Sequence, residues 1–219
     1  ISESKGGSGN PSPITAYGVF MGMKAAAKHK FGVDNLAGKR VLVQGIGHVG
    51  EVLVQHLTNE GAIVTISDIN ENRLHEVGSK YGAKIFTGND LYSLDVDIYA
   101  PCALGATIND DTISKIQAKV IAGAANNQLA NEVIHGKLLK EKGILYAPDF
   151  LINAGGVINV YSELASLTSA QVMEKTENIY NTAMDIFNLS DVQNITTHQA
   201  ALNIAQKRID DRKKELQNK

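Results

Sequence analysis

The sequence predicts an α/β fold built on a doubly wound, mostly parallel sheet, with flanking helices and extra helices at both ends. Three observations lead there. Short apolar runs alternate with helix-length segments through the middle of the chain, the pattern of a sheet wound by crossovers. One such run, Val41-Leu42-Val43, enters Gly45-Ile46-Gly47-His48-Val49-Gly50, with the spacing GxGxxG. A second run ends at Asp68, 18 residues beyond Gly50, where an acid reaches the ribose hydroxyls of a dinucleotide.

Taken in order, the chain opens on a polar, glycine-rich stretch, residues 2–9, that reads as a linker or hinge. A helix follows to about Lys28, with Ser12 as its cap, Pro13 in its first position and Ala16, Val19, Phe20 and Met23 as its apolar residues. Residues 31–39 form a loop. In the glycine turn, Gly45 permits the tight bend, Gly47 lets a pyrophosphate approach the backbone, and Gly50 lets the next helix pack closely. That helix starts near Val49, offers its free N–H groups to phosphate, and stops at Gly61. His48 is a candidate pyrophosphate contact, with an exposed bystander as the plainer reading. The strand 62–67 then delivers Asp68, followed by Ile69 and Asn70. Arg73, the nearest arginine, lies a turn into the next helix, so NAD is favoured over NADP.

Glu71–Tyr81 reads as a helix closed by Gly82, then 83–86 and 96–100 as strands. The second of these ends in Pro101-Cys102-Ala103-Leu104-Gly105, a turn at the sheet edge where open α/β sheets bind ligands. Cys102 has no activating base nearby in sequence and reads as a small packing residue beside the cofactor. Residues 110–116 are expected to be a short helix, 120–122 a strand running into Gly123-Ala124-Ala125-Asn126-Asn127-Gln128, 132–142 a helix stopped by Gly143, and 145–147 a sixth strand. Residues 148–156 are expected to form a loop, with Asn153 capping a helix over 157–164. The remainder reads as one helix over 170–189 and another over 198–216, the latter with a solvated charged face.

Composition narrows the function. With 219 residues, 43% of them hydrophobic, the chain buries a substantial core. A net charge of −2 from 21 basic and 23 acidic residues leaves no electrostatic footprint for nucleic acid. No apolar run approaches a membrane span, and no Cys/His set has metal spacing. A single cysteine suits a reducing, cytoplasmic setting. The chain begins at Ile1 and reads as a piece of something longer.

Several motifs are more specific than the glycine turn. Gly9-Asn10-Pro11-Ser12-Pro13-Ile14-Thr15-Ala16-Tyr17-Gly18, Ala100 through Gly105, Asn127-Gln128, and Pro148-Asp149 through Asn153-Ala154-Gly155-Gly156-Val157 occur in the order seen in one family. On these residues the chain resembles the nucleotide-binding, Rossmann-type half of the Glu/Leu/Phe/Val dehydrogenases, the leucine-specific members above all. The resemblance implies NAD-dependent oxidative deamination of an L-amino acid to a 2-oxo acid and ammonia. It implies that Thr15 and Asn127 hold the nicotinamide end, that Ala103 lines the cofactor channel, and that Asn153 sits near the cleft floor. It also implies that Val157 and Val160 line the substrate side-chain pocket, an apolar surface that favours a branched-chain amino acid over glutamate. Ordinary helix core is the alternative for both valines.

The family's catalytic lysine and its neighbouring acid belong to an N-terminal domain this sequence does not contain, and Lys5 reads as hinge. No catalytic residue is therefore assigned to this chain, and the isolated chain is expected to bind cofactor without turnover. The family implies a homo-oligomer for the full-length enzyme. A non-catalytic NAD-binding or sensing module is the alternative.

Overall fold

A computed structural model describes residues 9–217; Lys5 and the rest of the expected hinge before Gly9 lie outside the described residues. Helix α1 (Ser12–Phe31) leads into strand β1 (Arg40–Gln44), helix α2 (His48–Asn59), strand β2 (Ile63–Ser67), helix α3 (Glu71–Tyr81) and strand β3 (Lys84–Ile85). After β4 (Ile98–Pro101) and β5 (Val120–Ile121) come α4 (Glu132–Glu141), β6 (Leu145–Tyr146), α5 (Asp149–Ile152), α6 (Gly155–Ala165), α7 (Ser169–Glu177), α8 (Ile179–Gln193) and α9 (Thr197–Gln217). The six strands lie in the order β3-β2-β1-β4-β5-β6, and every pairing is parallel. Between β1 and β4 the strand order reverses, opening a crevice at their carboxyl ends.

Side-chain alternation along the strands separates two cores. Val41 and Val43 of β1 face one cluster with Val64, Ile66, Ile98 and Ala100, covered by α1, α2, α3 and α8. Leu42 faces the other, with Tyr99, Ile121 and Tyr146, under Leu139 of α4 and Ile108, Ile113 and Ile116. Ile113 and Ile116 belong to the segment expected to be a helix over 110–116, and here the expectation fails. The segment is a series of turns, because Asn109 Oδ1 accepts the N–H groups of Asp111 (3.0 Å) and Thr112 (3.1 Å), a local alternative to helical bonding.

Three further boundaries differ from expectation. Ser12 does not cap α1. It opens the helix, and its own N–H donates to Asn10 Oδ1 at 3.0 Å. The loop expected over 148–156 contains the short helix α5, and Gly155 and Gly156 already belong to α6. The single helix expected over 170–189 is two, joined at Asn178; just before the join Thr176 Oγ1 donates to Val172 O (2.7 Å), a back-bond that bends helices.

The element that sequence rules underrated is α1. Ala16, Val19, Met23, Ala25, Ala26 and Ala27 are all fully buried, as in a helix apolar on every side. Its small residues allow close approach: a β-carbon at Gly22 would lie 2.2 Å from Ile152 Cγ2. The helix thereby holds the α5–α6 corner against the sheet's site edge.

Candidate functional site

The glycine turn divides its tasks as the spacing suggests. Gly45 has φ 93, and a β-carbon there would lie 2.7 Å from Ala103 N. A β-carbon at Gly50 would lie 2.1 Å from Gly45 O, so only glycine lets α2 start this close to the turn. Gly47 meets nothing within 4 Å and forms the open side of the turn. Beside it the first N–H groups of α2, on His48, Val49 and Gly50, have no carbonyl one turn back within the helix. Asp68 is locked in place: its Oδ2 accepts the Ile46 N–H (2.8 Å) and its Oδ1 the Asn70 N–H (2.9 Å). Ile69 is fully exposed and His48 exposed.

From this turn an unbroken series of contacts crosses the carboxyl edge of the sheet. Ala103 lies on Gly45. Two residues on, a β-carbon at Gly105 would lie 2.6 Å from Asn126 O and 2.9 Å from Asn127 O, and the Ala106 N–H donates to Asn127 O at 2.7 Å. Asn127 holds a left-handed backbone, φ 52, which asparagine tolerates. Asn126 Oδ1 accepts from Asn153 Nδ2 (2.6 Å), which also donates to Ala124 O (3.2 Å). Asn153 therefore ties the α5–α6 corner to the β5 loop and does not cap α6, which has no side-chain cap. Beyond it, a β-carbon at Gly155 would lie 2.2 Å from Ile14 O, and one at Gly156 2.8 Å from Thr15 Oγ1. The structure thus gathers Asp68, the glycine turn, Ala103, Asn127, Asn153 and Thr15 along one rim.

Cys102 stands behind that rim. Burial pushes its thiol up to about 12, and its Sγ accepts the Ala124 N–H at 3.5 Å. A thiol held neutral is a packing group and no nucleophile. Val157 and Val160 are 72% and 56% exposed, so they are not core. With Tyr161 and Leu164, also exposed, they form an apolar stripe along α6 at i, i+3, i+4 and i+7.

The contacts of two supporting residues escape sequence reading. Gln128, fully buried, donates from Nε2 to Gly123 O (2.8 Å) and Ala125 O (3.0 Å), and its N–H donates to Asp149 Oδ2 (3.2 Å). The polar run Asn126-Asn127-Gln128 after a buried strand and the Asn127-Gln128 motif single it out in the sequence, and neither tells that its side chain is buried. Arg73 also lies closer than its position in sequence suggests: its Nε donates to Ile46 O at 3.3 Å. Two hollows hold none of the expected site residues: a cleft of about 440 Å³ lined by His29, Lys140 and Asp191, and a groove of about 630 Å³ lined by Val133 and His198. Among the described residues no acidic, histidine or cysteine cluster suits a metal ion, and no helix is long and apolar enough to cross a membrane.

The chain is similar to known proteins over nearly its whole length. Leucine dehydrogenase of Thermoactinomyces intermedius is 50% identical over 210 residues, and that of Bacillus subtilis (strain 168) 51% identical over 210 residues; each alignment covers 96% of this chain. The chain spans 57% of the length of each of these relatives. The crystal structure of L-tryptophan dehydrogenase from Nostoc punctiforme superposes with a TM-score of 0.89 at 45% identity, covering 92% of this chain and 61% of that one. A sequence model of the Glutamate/Leucine/Phenylalanine/Valine dehydrogenases matches residues 6–81 and 69–216, and with the rim's residues falling inside that match, the chain belongs to the Glutamate/Leucine/Phenylalanine/Valine dehydrogenase family.

Proposed function

We propose that this chain is the cofactor-binding half of an NAD-dependent L-amino-acid dehydrogenase acting on leucine or another branched-chain amino acid. The observation that carries the reading is the continuous rim from Asp68 to Thr15. It fits an extended dinucleotide. Gly47 leaves the turn open and the start of α2 offers unpaired N–H groups to a pyrophosphate. Asp68, already oriented by two backbone N–H groups, accepts from the adenine-ribose hydroxyls and repels a 2′-phosphate, with Ile69 alongside. Thr15, Asn127 and Asn153 lie at the opposite end, where the nicotinamide belongs, and Ala103 and Cys102 form the wall between. Bound NAD would supply the hydride acceptor.

The exposed valines support the substrate assignment. A distal carboxylate set against Val157 and Val160 would lose hydration with no compensating donor, whereas an aliphatic side chain gains from the contact. Among the described residues no lysine lines the rim, so the proton-transferring groups would come from the part of the enzyme that the relatives' additional length represents, and this chain alone should bind without turnover. The same part would assemble the full-length enzyme as a homo-oligomer, in the cytoplasm. Absence of a lysine on the rim among the described residues also favours a second reading, a non-catalytic NAD-binding or sensing module. Titrating NADH and NADPH by nicotinamide fluorescence tests cofactor binding, with NADH expected tighter; equal or tighter NADPH binding would sink the assignment. Turnover with L-leucine after adding the N-terminal domain of a leucine dehydrogenase would separate enzyme from sensor.

A further inference from the structure

Cofactor choice in this fold is ordinarily read from the acid at the end of the second strand. Here a cation stands beside it. Asn70 Oδ1 caps α3 by accepting the Arg73 N–H at 3.1 Å, which fixes where the arginine leaves the helix. Its side chain turns back to the glycine turn, and Nε donates to Ile46 O at 3.3 Å. The N–H of that same Ile46 is held by Asp68, so Arg73 and Asp68 grip the two polar groups of one residue. A 2′-phosphate repelled by Asp68 would therefore have an arginine within reach.

That arginine is already committed. Its Nη2 pairs with Glu51 and its Nη1 with Glu76 at 2.8 Å. Glu51 also takes Lys80 Nζ at 2.9 Å and the Tyr81 hydroxyl at 3.3 Å. Its side chain is only 16% exposed, against 61% for Glu76, so the Glu51 contact is the less screened of the two. The hydrogen bond from Lys80, followed by Arg73, holds the Glu51 carboxyl below the usual carboxylate range, and Glu76, then Glu51, raises Arg73 above its own. With Asp68, the patch holds three carboxylates against two cations and stays net negative.

We propose that Glu51 is a positioning residue for cofactor discrimination: by occupying the Arg73 guanidinium it withholds the cation anchored on the glycine turn from the 2′-phosphate of NADP. This rests on the NAD-binding reading above. Asp68 supplies the repulsion, and Glu51 removes the attraction that would offset it. Without Glu51, Arg73 keeps its anchor on Ile46 O and its surface pair with Glu76 through Nη1, and its Nη2 is released for a phosphate oxygen.

The test is fluorescence titration of NADH and NADPH against the full chain as wild type, Glu51→Gln, Arg73→Gln and the double variant, with cofactor-induced shifts in melting temperature as a second readout. Glu51→Met, of similar length and without a hydrogen-bonding group, repeats the measurement if Glu51→Gln folds poorly. Loss of Glu51 should tighten NADPH relative to NADH by roughly tenfold, a typical worth for a charge-assisted contact, and Arg73→Gln in that background should abolish the gain. A purely structural role for Glu51 would weaken both cofactors together and leave the ratio alone. Normal NADH binding with an unchanged ratio, or a gain that survives Arg73→Gln, overturns the proposal. A wild-type chain that binds neither cofactor overturns the NAD-binding reading along with it.

Discussion

Two glycine pairs meet at the site edge, and they do opposite work. Where the turn enters α2, Gly45 and Gly50 are crowded by Ala103 and by the turn's own carbonyl, while Gly47 between them faces open space. At the start of α6, Gly155 and Gly156 face inward against Ile14 and Thr15 of α1 and leave nothing open. The first pair makes room for a ligand, and the second removes room between two helices. One residue type thus serves either recognition or packing, and the neighbour a β-carbon would strike tells them apart.

The largest expected effect tests the packing pair. Gly155→Ala forces a carbon onto Ile14 O and should cost about 3 kcal/mol or more, above the usual range for overpacking because the obstacle is backbone. Urea denaturation measures it, and a loss below about 1 kcal/mol would show that α1 and α6 separate easily. Gly47→Ala is the counterpart. Stability should stay within about 1 kcal/mol, the cost of a poorer helix cap, while NADH affinity falls at least about tenfold; retained affinity would mean the turn is not approached.

Asp68→Ser sharpens the recognition side. Removing the charge should narrow the NADH over NADPH preference by about tenfold, while loss of the two backbone contacts should appear separately as a lower melting temperature. On α6, Val160→Ser should change the stability of this chain by less than about 0.5 kcal/mol, because the side chain is exposed. In a complete enzyme carrying this domain, the leucine to glutamate ratio of kcat/KM should drop by about tenfold, and an unchanged ratio would remove the valine from the substrate pocket.

The smallest effect concerns pH. His56 stacks on Phe20 at 5.2 Å and lies 5.6 Å from Tyr17, on the packed side of α1. Burial lowers its pKa below the ordinary 6.5, so the unfolded chain takes up the proton first. Stability contributed by neutral His56 is full above pH 6.5 and is lost as pH falls from there toward the folded value. His56→Phe should flatten the slope of unfolding free energy in that window. A slope identical to wild type would assign it to other groups.

Period and punctuation made most of the scaffold legible. Helix α3 was readable to its ends, since Gly82 is a strong stop signal and the amphipathic run starts directly after Asn70, which caps it in the structure. The segment 110–116 was not, because side-chain bonds from Asn109 compete locally with a helix and propensity does not register them. The same limit applied to Ser12 and Asn153, two polar residues placed as helix caps. One proved to be the first residue of its helix and the other a tether between loops.

By itself the sequence determined the alternation of strands and helices, the glycine turn, the acid at the end of β2 and the family, because these depend on local backbone geometry and short spacings. Only the tertiary structure decided which of those residues meet. Thr15 is 140 residues from Gly155 in sequence, yet the two lie side by side. Arg73, a helical turn beyond Asp68, reaches back to the glycine turn and finds Glu51 waiting. Val157 and Val160 share a face by helical period, but whether that face is core or surface depended on what packs against α6, and α1 occupies the other side. Contacts between distant segments are set by how a whole core closes, and no window of local sequence contains that information.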